Sequence, residues 1–398
     1  MKVHARIARS PRVVGAVAVT AAIALGLAAC GSDGDGASGS GGSQTIKLGS
    51  ISDLSGPASV IGIAGREGQE TAVNVINGDP DTYLCSPDRK IELKYDDGTN
   101  APTTAVTIAK NYISSREYLG IIGPLYTAQA QAMAPLTSKA KIPLLVPYTP
   151  GSKELTGLGD YVFASSQPDA QTAVTGVDAL TKAWPDAQNV GVLYASDSAA
   201  HIPMSKLIME ELTKAGKTPI EFSVPFTSTD LSSAISTFKS KDVQAIYILL
   251  NSPAQVAAMQ AASRSDYHPH WFGYSTMFTQ AVIDGGGDEA EGALLASDYD
   301  PNLDNDLNKT FREAYKADFN KEPDSWAALG FQSVMTYAAA ICSIDGEVTG
   351  DQLRDALQDV QAPAIVNGGT FTFNDDRLVA VPPNVLEIKD GKFVSWAG

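Results

Sequence analysis

Between residues 44 and 297 the chain alternates short strand-like runs with segments of helical spacing, and it does so twice. The first series has strand character over 44–53 (QTIKLGSISD), 89–97 (RKIELKYDD), 120–123 and 143–146. Helical spacing falls over 62–76, 102–115 and 127–140. The series then restarts, with helices over 170–184, 202–215, 231–239 and 253–263 and strands over 189–194, 220–224, 243–250 and 270–274. Strands separated by helices pair in parallel through right-handed crossovers, which limits such a chain to doubly wound α/β sheets. The run 243–250 (VQAIYILL) is apolar almost throughout, as a strand covered on both faces requires. A further strand over 292–297 precedes helices over 305–320, 325–341 and 350–359 and late strands over 370–373, 385–388 and 392–396. Those late helices have no matching strands, so they are expected to return over the first half. The expected architecture is α/β: two doubly wound parallel-sheet lobes joined by a multi-crossover hinge, with a cleft between them. One lobe is assigned to 44–166 plus 298–376 and the other to 167–297 plus 377–398.

The first twenty-nine residues read as an address rather than as fold. Lys2, Arg6, Arg9 and Arg12 form a basic start, 13–29 is apolar, and small residues precede Cys30. This is the pattern of a secretory signal peptide, at the short edge of a membrane span and without stop-transfer charges. Leu27-Ala28-Ala29-Cys30 resembles the bacterial lipobox, in which the Cys thiol receives a diacylglycerol after cleavage; the alternative is an ordinary signal with an incidental Cys. Residues 31–43 are almost entirely Gly, Ser and Asp, the composition of a flexible tether. The expected product is extracytoplasmic and held to the outer face of the cell membrane by lipid on Cys30.

Cleavage before Cys30 removes four basic residues and no acidic one, taking the net charge from −16 to about −20. So acidic a body disfavours nucleic acid and anionic membrane surfaces as partners. With Cys30 consumed, Cys85 and Cys342 remain as an even pair in an oxidising compartment, either one disulfide or two buried thiols. Two cysteines and four histidines offer no metal-ligand cluster, and no metal or cofactor is expected. The chain has no Gly-x-Ser-x-Gly, no His-Glu-x-x-His and no Cys/His nucleophile pair, so an enzyme is not expected.

In order along the mature chain, the sequence resembles the periplasmic binding proteins of the leucine/isoleucine/valine-binding type. The resemblance is carried by Ile46-Lys47-Leu48-Gly49, Leu54-Ser55-Gly56-Pro57, Val75-Ile76-Asn77, Tyr95-Asp96-Asp97, Ile121-Ile122-Gly123-Pro124, Ile142-Pro143-Leu144-Leu145, Glu154-Leu155-Thr156, Tyr161-Val162-Phe163 and Phe371-Thr372-Phe373-Asn374-Asp375. It implies a monomeric substrate-binding component of an ABC importer, closing on a small solute and docking on permease and ATPase subunits. A sensory receptor of the same fold is the alternative.

The resemblance also implies where the solute sits: at the strand-end loops of both lobes, as in other open α/β sheets. Thr127 and Thr149 match positions that hydrogen-bond a ligand carboxylate, Gly151 matches a backbone N–H donor with Ser152 beside it, and Ile61 falls where an aromatic residue often stands. In the second lobe the loops are 195–203, 251–254 and 274–278. Ser275 occupies the position at which amino-acid binders carry an acidic residue for the ammonium group, and an aromatic expected near Asn251 is missing. Asp197 is the alternative source of negative charge. The expected solute is therefore small and polar or carboxylated, an amino-acid-like compound or a related organic acid or amide.

Single residues carry competing readings. His201 either contacts the solute or is a solvated loop histidine, the second being the more ordinary fate. Tyr126, Tyr148 and Tyr274 either line the cleft or pack at strand ends. Asp96-Asp97 reads as turn chemistry rather than as a catalytic pair, Gly285-Gly286-Gly287 as a surface turn, and the acidic run 298–306 as a solvated connection between lobes.

Overall fold

The computed structural model describes residues 44–365, 369–380 and 382–398. The expected signal peptide, Cys30 and the tether lie outside the described residues. The first half runs β1 (Gln44–Ser52), α1 (Ser59–Gly78), α2 (Pro80–Leu84), β2 (Arg89–Asp97), α3 (Pro102–Ser115), β3 (Tyr118–Ile122), α4 (Thr127–Lys139), β4 (Leu144–Val146), α5 (Lys153–Thr156) and β5 (Val162–Ala164). The second runs α6 (Asp169–Ala183), β6 (Asn189–Ala195), α7 (His201–Lys214), β7 (Thr218–Val224), α8 (Ser232–Ser240), β8 (Ala245–Leu249), α9 (Ser252–Arg264), β9 (His270–Gly273), α10 (Gln280–Gly286) and β10 (Leu294–Ser297). Last come α11 (Asp306–Phe319), α12 (Ser325–Cys342), α13 (Gly350–Gln358), β11 (Ala362–Ala364), β12 (Gly369–Phe371), β13 (Asn384–Lys389) and β14 (Lys392–Ser395).

The strands form two large sheets. The first has the order β2-β1-β3-β4-β5 and is parallel throughout. In the second, of order β14-β13-β10-β9-β8-β6-β7, pairing is parallel from β10 to β7. Its far edge departs from the all-parallel expectation, because β13 runs antiparallel to β10 and β14 antiparallel to β13. The cause is local: β13 and β14 are joined by Asp390-Gly391, both at positive φ (50° and 67°), the two-residue turn that matches strand twist in a hairpin. The expected strand at 370–373 shortens to β12, which pairs with β11 in a separate ribbon. In both large sheets the order reverses beside one strand, β1 in the first and β6 in the second. The loops leaving β1 and β3, and those leaving β6 and β8, therefore diverge and open a crevice at each sheet's C-terminal edge.

The chain passes between the sheets after β5 (residues 165–168), after β10 (298–305) and before β13. Before the last passage the backbone still bridges the first sheet, with the Val379 N–H donating to the Ala164 carbonyl at 3.1 Å.

Helix α12 is buried along nearly its whole length against α1. Their contact is backbone to backbone. A Cβ on Gly68 would lie 1.9 Å from the Ala327 carbonyl oxygen, and one on Gly330 would lie 2.1 Å from the Gly65 carbonyl oxygen. The far end of α12 is fastened twice. Cys342 is disulfide-bonded to Cys85, with Cα atoms 5.0 Å apart. The Arg89 guanidinium donates to the carbonyls of Ile341 (3.0 Å), Ile344 (2.7 Å) and Gly346 (2.9 Å), giving cationic partners to groups that a helix C-terminus leaves unpaired. No helix among the described residues is long and apolar enough to cross a membrane.

Candidate functional site

The two crevices share one cavity of about 360 Å³. From the first sheet's side it is lined by Pro57, Ala58 and Ile61 after β1, by Leu125, Tyr126, Thr127 and Ala128 after β3, and by Tyr148 and Thr149 after β4. The second sheet contributes Asp197, Ser198 and His201 after β6, Phe226 after β7 and Tyr274, Ser275 and Thr276 after β9. The passages between the sheets supply Ser166, Gln167, Asp298 and Pro383, and α12 supplies Trp326.

Lining residues on the first side are held by a carboxylate behind them. Asp53, fully buried, accepts from the N–H groups of Gly56 and Ala58 and from the Tyr126 hydroxyl (2.7 Å). It thereby fixes the loop entering α1 and the Tyr126 ring together. Asp97 accepts from the Thr99 N–H two residues on (2.9 Å), which is turn chemistry, and also from the Leu54 N–H (2.9 Å) and the Ser55 hydroxyl, which ties the loop after β1 to the end of β2. The Thr127 and Thr149 hydroxyls are hydrogen-bonded to each other. Thr127 is also the first residue of α4, whose N-cap, Tyr126, gives no side-chain cap. Hydroxyls and a helix N-terminus together make this wall a donor surface suited to a carboxylate or a carbonyl.

Nine of the residues named from the sequence line the cavity: Ile61, Tyr126, Thr127, Tyr148, Thr149, Asp197, His201, Tyr274 and Ser275. Three do not. The Gly151 N–H donates to the Gln167 carbonyl at 3.1 Å, which takes up the donor that a ligand would have needed. The Ser152 hydroxyl caps α5 through the Leu155 N–H (3.2 Å). Asn251 caps α9, accepting from the Ala254 N–H at 2.9 Å, and donates to the Phe226 carbonyl at 2.8 Å. These are short-range duties of turn residues, and they outcompete a reach into the cleft.

His201 is not a solvated loop residue. It begins α7, is 5% exposed, and its Nε2 lies 2.6 Å from the Tyr274 hydroxyl, with the two rings edge to face. Burial lowers its pKa to about 4, with Asp197 acting weakly the other way, so the imidazole is neutral at physiological pH. Asp197 is exposed at the rim, where its carboxylate accepts from the Phe226 N–H at 2.7 Å.

The acidic run also differs from its expected place in solvent. Asp298, Tyr299 and Asp300 are buried. Asp298 Oδ1 accepts from the Gln167 N–H at 2.8 Å, and Oδ2 accepts from the Ser275 hydroxyl at 3.0 Å. Burial raises its pKa to about 6, against the pull of these bonds and of Ser166. Asp298, Trp326, Phe226 and Ser166 were not predicted for the site. Three lie outside the loops expected to face the cleft, and Trp326 sits inside a helix whose composition signals only burial.

Two α/β sheets whose C-terminal edges share a solute-sized cavity have the layout of a small-molecule binding site. A family model described as periplasmic binding protein matches residues 45–392, and the chain belongs to that family. A Leu/Ile/Val-binding protein homolog from Brucella melitensis biotype 1 is 25% identical over 361 residues, covering 88% of this chain and 93% of the relative. Two solved structures share the fold. The branched-chain amino acid transporter substrate-binding protein LivJ from Streptococcus pneumoniae, in complex with isoleucine, has a TM-score of 0.77 and 21% identity over 88% of this chain and 98% of that one. A solute-binding protein of an ABC transporter from Rhodopseudomonas palustris, in complex with 3,4-dihydroxybenzoic acid, has a TM-score of 0.78 and 22% identity over 89% and 96%.

Proposed function

We propose that this chain is the solute-receiving component of an ABC importer, capturing a small carboxylated or amino-acid-like solute between its lobes and delivering it to a membrane permease. The observation that carries this reading is the shared cavity: one wall of hydroxyls and a helix N-terminus, the rest largely aromatic and aliphatic. Its volume of about 360 Å³ suits a molecule of amino-acid size. Isoleucine and 3,4-dihydroxybenzoic acid, bound by two proteins of this fold, both carry a carboxylate. In this reading Thr127 and Thr149 receive the carboxylate, while Ile61, Tyr126 and Tyr274 pack against the body of the solute. The lobes, 44–166 with 298–376 and 167–297 with 377–398, close over it, and the passages between them act as the hinge.

The protein is further proposed to be a monomer, exported by residues 1–29 and anchored by lipid on Cys30, with the 31–43 tether holding its acidic body away from the bilayer. Substituting Cys30→Ala should move it from the membrane fraction to the medium or periplasm; continued membrane retention overturns the anchor.

The binding reading is tested by thermal shift of the purified protein against amino acids, short carboxylates, amides and aromatic acids. A ligand present at a thousandfold excess over its Kd adds about 4 kcal/mol of stability. A broad panel without a single shift overturns it.

A further inference from the structure

We propose that Gln129 and Gln255 are positioning residues for solute binding: each buried amide fixes a loop that lines the cavity, one in each lobe. This rests on the solute-binding reading above and adds to it what sets the shape of the cavity wall.

Glutamine side chains are mostly exposed in folded proteins, yet both of these are fully buried. They stand in the first turns of α4 and α9, helices that hold the same place in their lobes, each following the third strand. Gln129 Nε2 lies 3.1 Å, 3.0 Å and 3.4 Å from the carbonyl oxygens of Gly98, Thr99 and Ala101. Three carbonyls facing one atom assign it as the amide nitrogen. The loop held in this way leaves β2 and brings Asn100 and Pro102 to the cavity. It is a loop that needs holding. Thr99 is β-branched and sits at φ 47°, in the left-handed region. Such a conformation persists where the surroundings over-determine it.

Gln255 does the same on the other side. Its Nε2 donates to the Leu250 carbonyl and to the Thr276 hydroxyl, both at 2.8 Å, and that hydroxyl donates to the same carbonyl at 2.9 Å. This closed set joins the end of β8 to the loop after β9, whose Tyr274, Ser275 and Thr276 line the cavity. The Oε1 atoms of Gln129 and Gln255 are buried and have no hydrogen-bond partner among the described residues. The polar role of each side chain is therefore donation to its loop. Loops fixed in advance spare the solute the entropy of ordering them.

A purely structural role is the competing account. An amide that only stabilises the fold changes the melting temperature and leaves the affinity of the folded protein alone. Gln332 is the control: it is 1% exposed, donates to the Pro363 carbonyl at 3.0 Å and accepts from the Ile365 N–H at 2.9 Å, and none of these three residues lines the cavity.

The test is calorimetry on the purified protein, well below its melting temperature, with isoleucine, 3,4-dihydroxybenzoate and the wider panel as probes. Methionine keeps the length of glutamine and removes the donor. Gln129→Met and Gln255→Met are each expected to raise the Kd of the probe that binds by about tenfold, whereas Gln332→Met lowers only the melting temperature. Gln129→Glu and Gln255→Glu add a pH profile. At pH 8.5 an ionised carboxylate opposes the acceptors. At pH 5 a carboxyl whose protonation is favoured by burial and by those acceptors regains an O–H donor. The ratio of variant to wild-type Kd should fall from about tenfold or more at pH 8.5 to within about threefold at pH 5. Measuring the wild type at each pH removes the titration of Asp97, Asp298 and His201, which both proteins share. Unchanged Kd in the Met variants, an equal loss in Gln332→Met, or a ratio flat with pH overturns the proposal and leaves the binding reading intact. Failure of both substitutions at one position to fold assigns that glutamine to the fold and overturns the proposal too. A wild-type protein that binds neither probe nor any panel member overturns both.

Discussion

The Ser275 hydroxyl donates to Oδ2 of Asp298 at 3.0 Å, joining the end of β9 to the passage that leaves β10. The two residues are 23 positions apart in the chain. Their contact holds a carboxylate in the lining of the cavity, and burial raises that carboxyl's pKa from 3.8 to about 6. A raised folded-state pKa means that the native protein binds the proton more tightly than the unfolded chain does. The resulting stability is fully present below about pH 4 and is lost as the pH rises through about 6. Asp298→Asn, uncharged at every pH, should therefore raise the stability of the ligand-free protein at pH 8 by about 1–3 kcal/mol and change it little at pH 4. Melting temperatures of both proteins across that range decide the point; a variant less stable at pH 8 than the wild type contradicts the assigned cost.

His201 should stay neutral far below the ordinary histidine range. Its pKa of about 4 is a consequence of burial, so NMR titration of its ring should show no protonation step between pH 8 and pH 5. A step near 6.5 would mean that water reaches the ring.

Asp53 is a positioning residue for the first-lobe wall. Asp53→Ala removes the acceptor for two backbone N–H groups and for the Tyr126 hydroxyl. Unsatisfied buried donors cost about 1–3 kcal/mol each when no water replaces the partner. The expected result is a lowered melting temperature together with binding weakened about tenfold or more, for whichever panel solute is found. Tyr126→Phe, which removes one of the three bonds, should do measurably less.

The α1–α12 contact makes a paired test. Gly68→Ala places a methyl 1.9 Å from the Ala327 carbonyl and must push the helices apart, at about 1–3 kcal/mol. Gly78→Ala, at the end of the same helix with nothing within 4 Å of the new methyl, should be neutral or stabilising by about 0.4–1 kcal/mol. Equal effects in denaturant unfolding would refute the close approach.

Thiol labelling of the denatured, unreduced protein should find Cys85 and Cys342 blocked. The bond closes residues 257 apart in sequence, so replacing both by Ser should cost about 2–5 kcal/mol. Free thiols, or an unchanged melting temperature, would count against the bond.

Much of the fold was legible because its signals are local. The predicted strand at 89–97 and helix at 102–115 coincide with β2 and α3, where alternation and helical spacing are clean. The edge hairpin was not read from the sequence, although Asp390-Gly391 between the two last strands is the turn signal that marks it. The site was legible only in part. Thr127, Thr149 and Tyr274 follow strands, and strand ends face the cleft as a class. Gly151, Ser152 and Asn251 sit on the same kind of loop but spend their polar groups on neighbouring backbone, and loop membership alone does not distinguish the two fates.

The sequence by itself determined the class of molecule: apolar periodicity sets strand and helix, and the alternation of the two sets parallel sheets with ligand-facing edges. The tertiary structure decided where the cavity's charge sits. A carboxylate's environment is a sum over groups distant in the chain, and no periodicity records it. Asp298 lies in an acidic, loop-like stretch that reads as solvated, yet the packing of two sheets and α12 buries it against Gln167 and Ser275.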